Sequence, residues 1–528
     1  MQILSFIGFT ALVAIISYLA TRKTNDNSSD GYFLGGRSLT GYVIAGSLLL
    51  TNLSTEQIVG LNGVAFKEGI LVMAWETLAA IAMVVTAVFL LPRYLKGGIT
   101  TVPQFLENRY DKMTKTITSG LFLSGYAIVL LPIVLYSGSL AINSMFSLPE
   151  LLNVSKSTAL WITVWAIGII GSIYAIFGGL KAVAVSDTIN AVGLLIGGLL
   201  IPVFGLLAIG DGSISEGITT LLATNPEKFK AMGGPETSIP FGTIFTGMML
   251  VQLFYWGTNQ AIIQRALGAK NLKEGQKGLL LASFIKILGP LIVVLPGIIA
   301  FHMFGNTLEN ADEAYPLLVA EVLPAALVGF FAAVLFGAIL SSFNSALNSS
   351  ATLFGVDIYK SHFNKGATEK QTVRAGKIFG TILAVLSMLI APLISNAPDG
   401  LFGYLQEVNG CYSIPILTII IVGYLTKYVP AIAAKIAIIS GVILYSVSQF
   451  IIKPFVFGAD NYPHFLHVMG ILFVLNIVIM LIIGKIKPRP EAFVLQYTNQ
   501  VDITPWKYLK IVGISLIIIV MGIYIYFA

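Results

Sequence analysis

Apolar residues fill this chain in runs of about twenty, parted by short polar stretches, the length needed for a helix to cross roughly 30 Å of hydrocarbon. Fourteen such runs are readable: 2–20, 41–65, 69–95, 116–146, 158–177, 182–209, 240–266, 277–304, 322–358, 373–396, 399–425, 430–452, 463–484 and 506–527. The pattern predicts an all-α, polytopic membrane protein. The first run is read as a retained helix, because no small-residue cleavage site follows it before the polar stretch that begins at Thr21.

Two runs are interrupted by polar residues at their middle. In 46–63 the interruption is Thr51, Asn52, Ser54, Thr55, Glu56 and Gln57; in 247–265 it is Gln252, Tyr255, Trp256, Gly257, Thr258, Asn259 and Gln260. They lie five runs apart. Paired interrupted spans in corresponding halves point to inverted repeats and to a binding site near the bilayer midplane, where unwound backbone lines a cavity. Intact helices turning a polar face to the bundle are the competing reading.

A third polar pattern keeps helical spacing. Ser341, Ser345 and Ser349 recur every four residues beside Asn344 and Asn348, making a stripe of hydroxyls and amides on one face. Such a stripe serves close helix packing. It serves equally as half of a cation site, in which hydroxyls join carbonyls freed by a broken helix. Neutral oxygens of that kind suit a hard monovalent cation and favour sodium over a proton, with potassium and lithium left open by ligand type.

Two charges stand inside apolar runs. Lys286 falls in 278–301 and Glu76 in 69–91. A lone ammonium at that depth costs roughly 2.5–3.5 kcal/mol on insertion scales, so it needs a partner, and intramembrane ionisable residues are functional candidates. The alternative is a lysine snorkelling from about six residues past its helix start.

Composition agrees with lipid as the main solvent: of 528 residues 56% are hydrophobic and 11% charged, with mean hydropathy +0.87. Loops of one parity hold nearly all the lysines and arginines, from Arg22, Lys23 and Arg37 through Arg265 to Lys510; the other parity holds only Lys67, Lys156, Lys228, Lys230 and Lys453. By the positive-inside rule both termini are extracytoplasmic in an inner (plasma) membrane. The net charge of +6 follows from that topology and an anionic leaflet, with no call for a nucleic-acid partner. Cys411 alone permits no disulfide framework, and His302, His362, His464 and His467 sit near run ends. With no HExxH, no aspartate-rich phosphate motif and no Walker loop, the chain is not read as an enzyme. Loops 210–239 and 301–324 are read as external covers without assigned chemistry, and the oligomeric state is left open.

The strings TNLSTEQIVG from Thr51, YWGTNQAIIQR from Tyr255, SSFNSALNSSATLFGVDIYK from Ser341 and GYLQEV from Gly403 carry a resemblance. In that order they resemble the solute:sodium symporter family, in particular its sodium/glucose cotransporter branch and the bacterial sodium/galactose symporters within it. The resemblance implies a leucine-transporter-like fold of two inverted five-helix repeats, here 41–209 and 240–425, with an extra helix at 2–20 and three more in 430–527. It implies a sodium site at the carbonyls of Leu50 and Leu53 with Ala338, Ser341 and Ser342, and a possible second sodium at Asp187 and Ser345. It implies sugar contacts from Asn52, Gln57, Glu76, Lys286 and Gln406, with Tyr255 stacking as inner gate.

Trp75, Ala79 and Gln252 depart from the galactose symporters inside this set, and leave the sugar open. The function so implied is sodium-coupled symport of a monosaccharide, galactose or glucose, by alternating access. Inositol, sialic acid or another solute, and a non-transporting sensor or a channel, are the alternatives; an anionic substrate would want an arginine, and none is read at mid-membrane. Sodium flowing in would supply about 2.3 kcal/mol per 100 mV for each charge moved.

Overall fold

The computed structural model describes residues 2–21, 28–308, 310–396, 401–458 and 461–528. Arg22, Lys23 and the first residues of the run expected at 399–425 lie outside them. Among the described residues the chain is helical, with two isolated β-bridges and no strand. Ten helices are long and apolar enough to cross a membrane, or eleven when a pair bent by 44°, Leu272–Leu288 with Pro290–Phe304, is taken as one span. Large apolar side chains such as Ile162, Ile443 and Ile518 lie exposed along these helices, as a lipid-facing surface requires.

The first run forms α1 (Gln2–Thr21). Both interrupted runs are broken helices. The first is α2 (Gly41–Asn52), which ends where Leu53 leaves helical geometry at ψ 57° and Ser54 becomes extended; α3 (Thr55–Glu68) then restarts the helix. Polar Asn52, Ser54 and Thr55 at this point compete for backbone groups and favour a helix end over continuation. After a 3-10 turn, α4 (Ala74–Val85) carries the chain on.

The 54-residue stretch α5 (Lys156–Ile209) is two spans, divided at Gly179, whose φ of 59° only glycine adopts freely. The second broken helix is α6 (Gly247–Gly257) followed by α7 (Gln260–Leu267), with the Asn259 side chain capping the new start by accepting from the Ala261 N–H at 3.0 Å. The serine stripe lies on α9 (Ala325–Thr352), and Gln406 on α10 (Leu401–Leu425).

Between them, α8 (Leu272–Leu288) begins earlier than the expected 277. Its N-cap Asn271 accepts from the Glu274 N–H, so the polar stretch LKEGQK is helix rather than loop. Lys286 therefore stands in the last turn of α8, at the bend, and not near a helix start.

Small residues set the approach of these helices, as expected where lipid removes the hydrophobic drive for helix association. A Cβ on Gly46 would come within 2.8 Å of the Thr188 Cα, so glycine lets α2 lie against α5 and brings Ser47 beside Asp187. The loop 210–239, read from sequence only as a cover, contains a helix (Ile214–Thr224) and a buried lysine. Lys228 donates to the carbonyls of Phe66 (3.1 Å) and Lys67 (2.6 Å), pinning the cover to the C-terminal end of α3.

Candidate functional site

The two mid-run charges meet. Lys286 and Glu76 form a direct ion pair, with side chains 1% and 0% exposed. Glu76 sits in the first turn of α4 and Lys286 in the last turn of α8, the helix ends whose dipoles favour their respective charges. Removing both from water costs several kcal/mol per ion, so contact alone does not make the pair stable; the remaining lone pairs and protons must also be used. Part of that capacity is used: Gln57 donates its amide to the other Glu76 oxygen at 2.6 Å, and Lys286 donates to the Asn52 side-chain oxygen. A chain Gln57–Glu76–Lys286–Asn52 thus starts in α3, crosses α4 and α8, and returns to the end of α2, on both sides of the first break.

Aromatic and amide groups wall this chain. Gln252 donates to the Trp75 carbonyl (2.9 Å) and accepts from the Trp256 indole N–H (3.1 Å), so two of the three departures from the galactose pattern are joined by one bond. Trp75 meets Phe402 edge to face at 5.2 Å. Gln406, one turn beyond Phe402 on α10, is half-buried, and no hydrogen bond joins it to Asn52, Gln57, Glu76 or Lys286. Tyr255 is half-buried against Trp256 and close to Asn52. Gly289 belongs to the wall as well, since a Cβ there would stand 2.2 Å from a Glu76 oxygen.

A second polar cluster lies where α9 crosses the same break. Ser342 donates its hydroxyl to the Thr51 carbonyl (2.9 Å), and the Thr51 hydroxyl lies 3.2 Å from that of Ser341 and 3.1 Å from that of Ser345. Leu50, Leu53 and Ala338 are buried alongside. The last carbonyls of a helix have no partner within it, so the end of α2 offers oxygens toward these serines. All of these donors are neutral and compact, the set a dehydrated monovalent cation takes. The stripe divides lower down: Ser349 donates to Gln264 (2.8 Å), which itself donates to Asn348 (3.0 Å) and Thr352 (2.9 Å), so that stretch locks α9 to α7.

Sequence reasoning missed Arg265. Its place at the end of the run 240–266 counts it with the loop cations, yet its side chain is 0% exposed. Its guanidinium donates to Ser47 (3.1 Å), to Ser345 and to the Ala261 carbonyl, while Ser47 donates to Asp187 at 2.6 Å. Asp187 and Ser345, the pair expected to hold a second sodium, do converge, and a guanidinium stands among them. The available signal was Asp187 itself, a buried acid in want of a base.

A broken helix pair, an ion pair at membrane depth and a neutral oxygen cluster beside it define an ion-coupled secondary transporter of the multi-pass membrane class. Comparison with known proteins agrees. The sodium:solute symporter family profile matches residues 32–442. The chain is 50% identical to an uncharacterized symporter, YidK, of Escherichia coli (strain K12), over 99% of this chain and 90% of that one. It is 31% identical to a sodium/glucose cotransporter of Vibrio parahaemolyticus, covering 84% and 83% of the two chains. It is also 28% identical to human sodium/myo-inositol cotransporter 2, covering 82% and 67%. Among solved structures, a sodium-coupled sialic acid symporter, bound to substrate and open outward, shares the fold with a TM-score of 0.78 at 20% identity, covering 93% of this chain and 98% of that one. This chain belongs to the sodium:solute symporter family, and sodium is its coupling ion.

Proposed function

We propose that this protein carries an uncharged polyhydroxylated solute, a hexose such as galactose or glucose, into the cell together with sodium by alternating access. The chain Gln57–Glu76–Lys286–Asn52 carries the reading. A pyranose presents hydroxyls that each donate and accept, and a carboxylate, an ammonium and two amides satisfy such groups without selecting for net charge. Its apolar C–H face packs on an aromatic ring, which Tyr255 or Trp256 offers. Lys286 is neutralised by Glu76, and Arg265 is engaged with Ser47 and Ser345, so neither cation is free for a carboxylate substrate. That favours a neutral sugar or inositol over sialic acid. Gln406 completes the sugar contacts from α10 as the solute is enclosed, and Tyr255 closes it from the cytoplasm.

Sodium binds at the carbonyls of Leu50, Leu53 and Ala338 with the hydroxyls of Ser341 and Ser342. Because the same break supplies Asn52 and Gln57 to the solute, ordering by one ligand favours the other. One sodium per cycle is the reading we adopt, since the Arg265 guanidinium takes the place of a second cation between Asp187 and Ser345. The architecture that fits is fourteen spans with two inverted five-helix repeats at 41–209 and 240–425. The runs 41–65 and 240–266 fall short of continuous spans because each is broken, while 2–20 is one unbroken helix of 20 residues. Both termini lie outside a plasma membrane in this arrangement.

Uptake of labelled galactose, glucose and myo-inositol into proteoliposomes tests the proposal, with an inward sodium gradient against matched potassium. Sodium-driven accumulation of one of them is expected. Uptake of none, with uptake of sialic acid instead, would overturn the neutral-solute reading.

A further inference from the structure

Around the two helix breaks the described residues include five charged groups: Glu56, Glu76, Asp187, Arg265 and Lys286. Four are matched, Glu76 directly with Lys286, and Asp187 with Arg265 through the hydroxyl of Ser47. Glu56 is left over. It is 8% exposed, its Oε2 has no hydrogen-bond partner, and the neighbouring Thr55 hydroxyl has none either. A buried carboxylate in that condition is expensive unless a proton or a cation neutralises it.

The sodium cage poses the opposite problem. Every oxygen in it is neutral, and the one carboxylate beside it, Asp187 against Ser341, is already matched by Arg265, so a cation held there at membrane depth adds an unbalanced charge. Glu56 lies three residues beyond Leu53, in the first turn of α3, where the helix dipole favours a negative charge. Its carboxyl lies within electrostatic reach of Tyr255. We infer that Glu56 is the fixed counter-charge of the coupling sodium, acting through space on the ion held by the carbonyls and serines at the break. With sodium present the five groups and the ion sum to zero, which leaves a neutral site for a neutral solute. The inference rests on the proposed sodium site and adds to it a residue that touches neither ion nor sugar in that reading.

Sodium-dependent thermal stabilisation of the purified full-length protein, without sugar and with potassium as control, tests this. Wild type is expected to be stabilised by sodium. Glu56→Gln should raise the half-saturating sodium concentration tenfold or more, while hexose affinity at saturating sodium stays within about threefold. Glu56→Asp, which keeps the charge, should recover most of the sodium affinity, and that recovery guards against a misfolded glutamine variant. An unchanged sodium response in Glu56→Gln overturns the inference while leaving the proposed symport intact. Loss of hexose affinity with the sodium response kept would make Glu56 a solute group and overturn it as well. A wild type blind to sodium removes the sodium-site reading itself, and the inference with it.

Discussion

The protein buries two acid–base pairs at membrane depth, and it treats them differently. Glu76 and Lys286 touch, and each spends its remaining capacity on an amide, Gln57 and Asn52, from either side of one helix break. Asp187 and Arg265 are bridged by the Ser47 hydroxyl, and the guanidinium also holds Ser345. The first pair is made of groups that a solute's hydroxyls can enter and share. The second ties α2, α5, α7 and α9 together beside the serines that face the break, so it acts on the ion side. Pairing a charge settles its burial; what the pair does depends on which polar groups surround it.

The largest effect that sharpens this contrast is expected from Lys286→Ala. It leaves Glu76 buried and unpaired, which costs about 3–5 kcal/mol of stability, and sodium-driven uptake should fall at least a hundredfold. Replacing both partners, Lys286→Met with Glu76→Leu, should restore the thermal stability and not the uptake. Next comes Arg265→Ala. Freed of the guanidinium, Asp187 and Ser345 become available to a second cation, so uptake should fall about tenfold and its sodium dependence turn sigmoidal; a hyperbolic dependence would break the distinction between the two pairs. Gln57→Ala removes a hydrogen bond to a charged group, worth about 1.5–3 kcal/mol, and solute affinity measured by equilibrium binding should weaken about tenfold with sodium affinity little changed. The smallest effect is expected from Ser349→Ala. Its hydroxyl holds Gln264 on the packing side of the stripe, so a thermal melt should show a loss of about 1 kcal/mol and the sodium half-saturation should stay within twofold.

Much of this was legible in the sequence, for a physical reason. Polar residues amid an apolar run have no solvent of their own, so Glu76 and Lys286 each called for a partner and the breaks fell where polar clusters stood, while only the family resemblance grouped Asn52 and Gln57 with them. Arg265 was not legible because it follows a break near the end of its run, where counting charges by loop treats any arginine as solvated. The true start of α8 was hidden by LKEGQK, a string polar enough for a loop that the Asn271 cap turns into helix. The spacing of Ser341, Ser345 and Ser349 marked one helix face, but which neighbour each meets depends on α2 and α7, far away in the chain. The bond linking Gln252 to Trp75 is of the same long-range kind.

The central claim is that ion and solute share one broken helix, and reciprocal affinity tests it most directly. Calorimetric titration of the purified protein would give the affinity for the transported hexose in sodium and in potassium, and the affinity for sodium with and without that hexose. The account predicts that sodium tightens hexose binding and that the hexose tightens sodium binding by the same factor. Hexose binding of equal strength in sodium and potassium would contradict it.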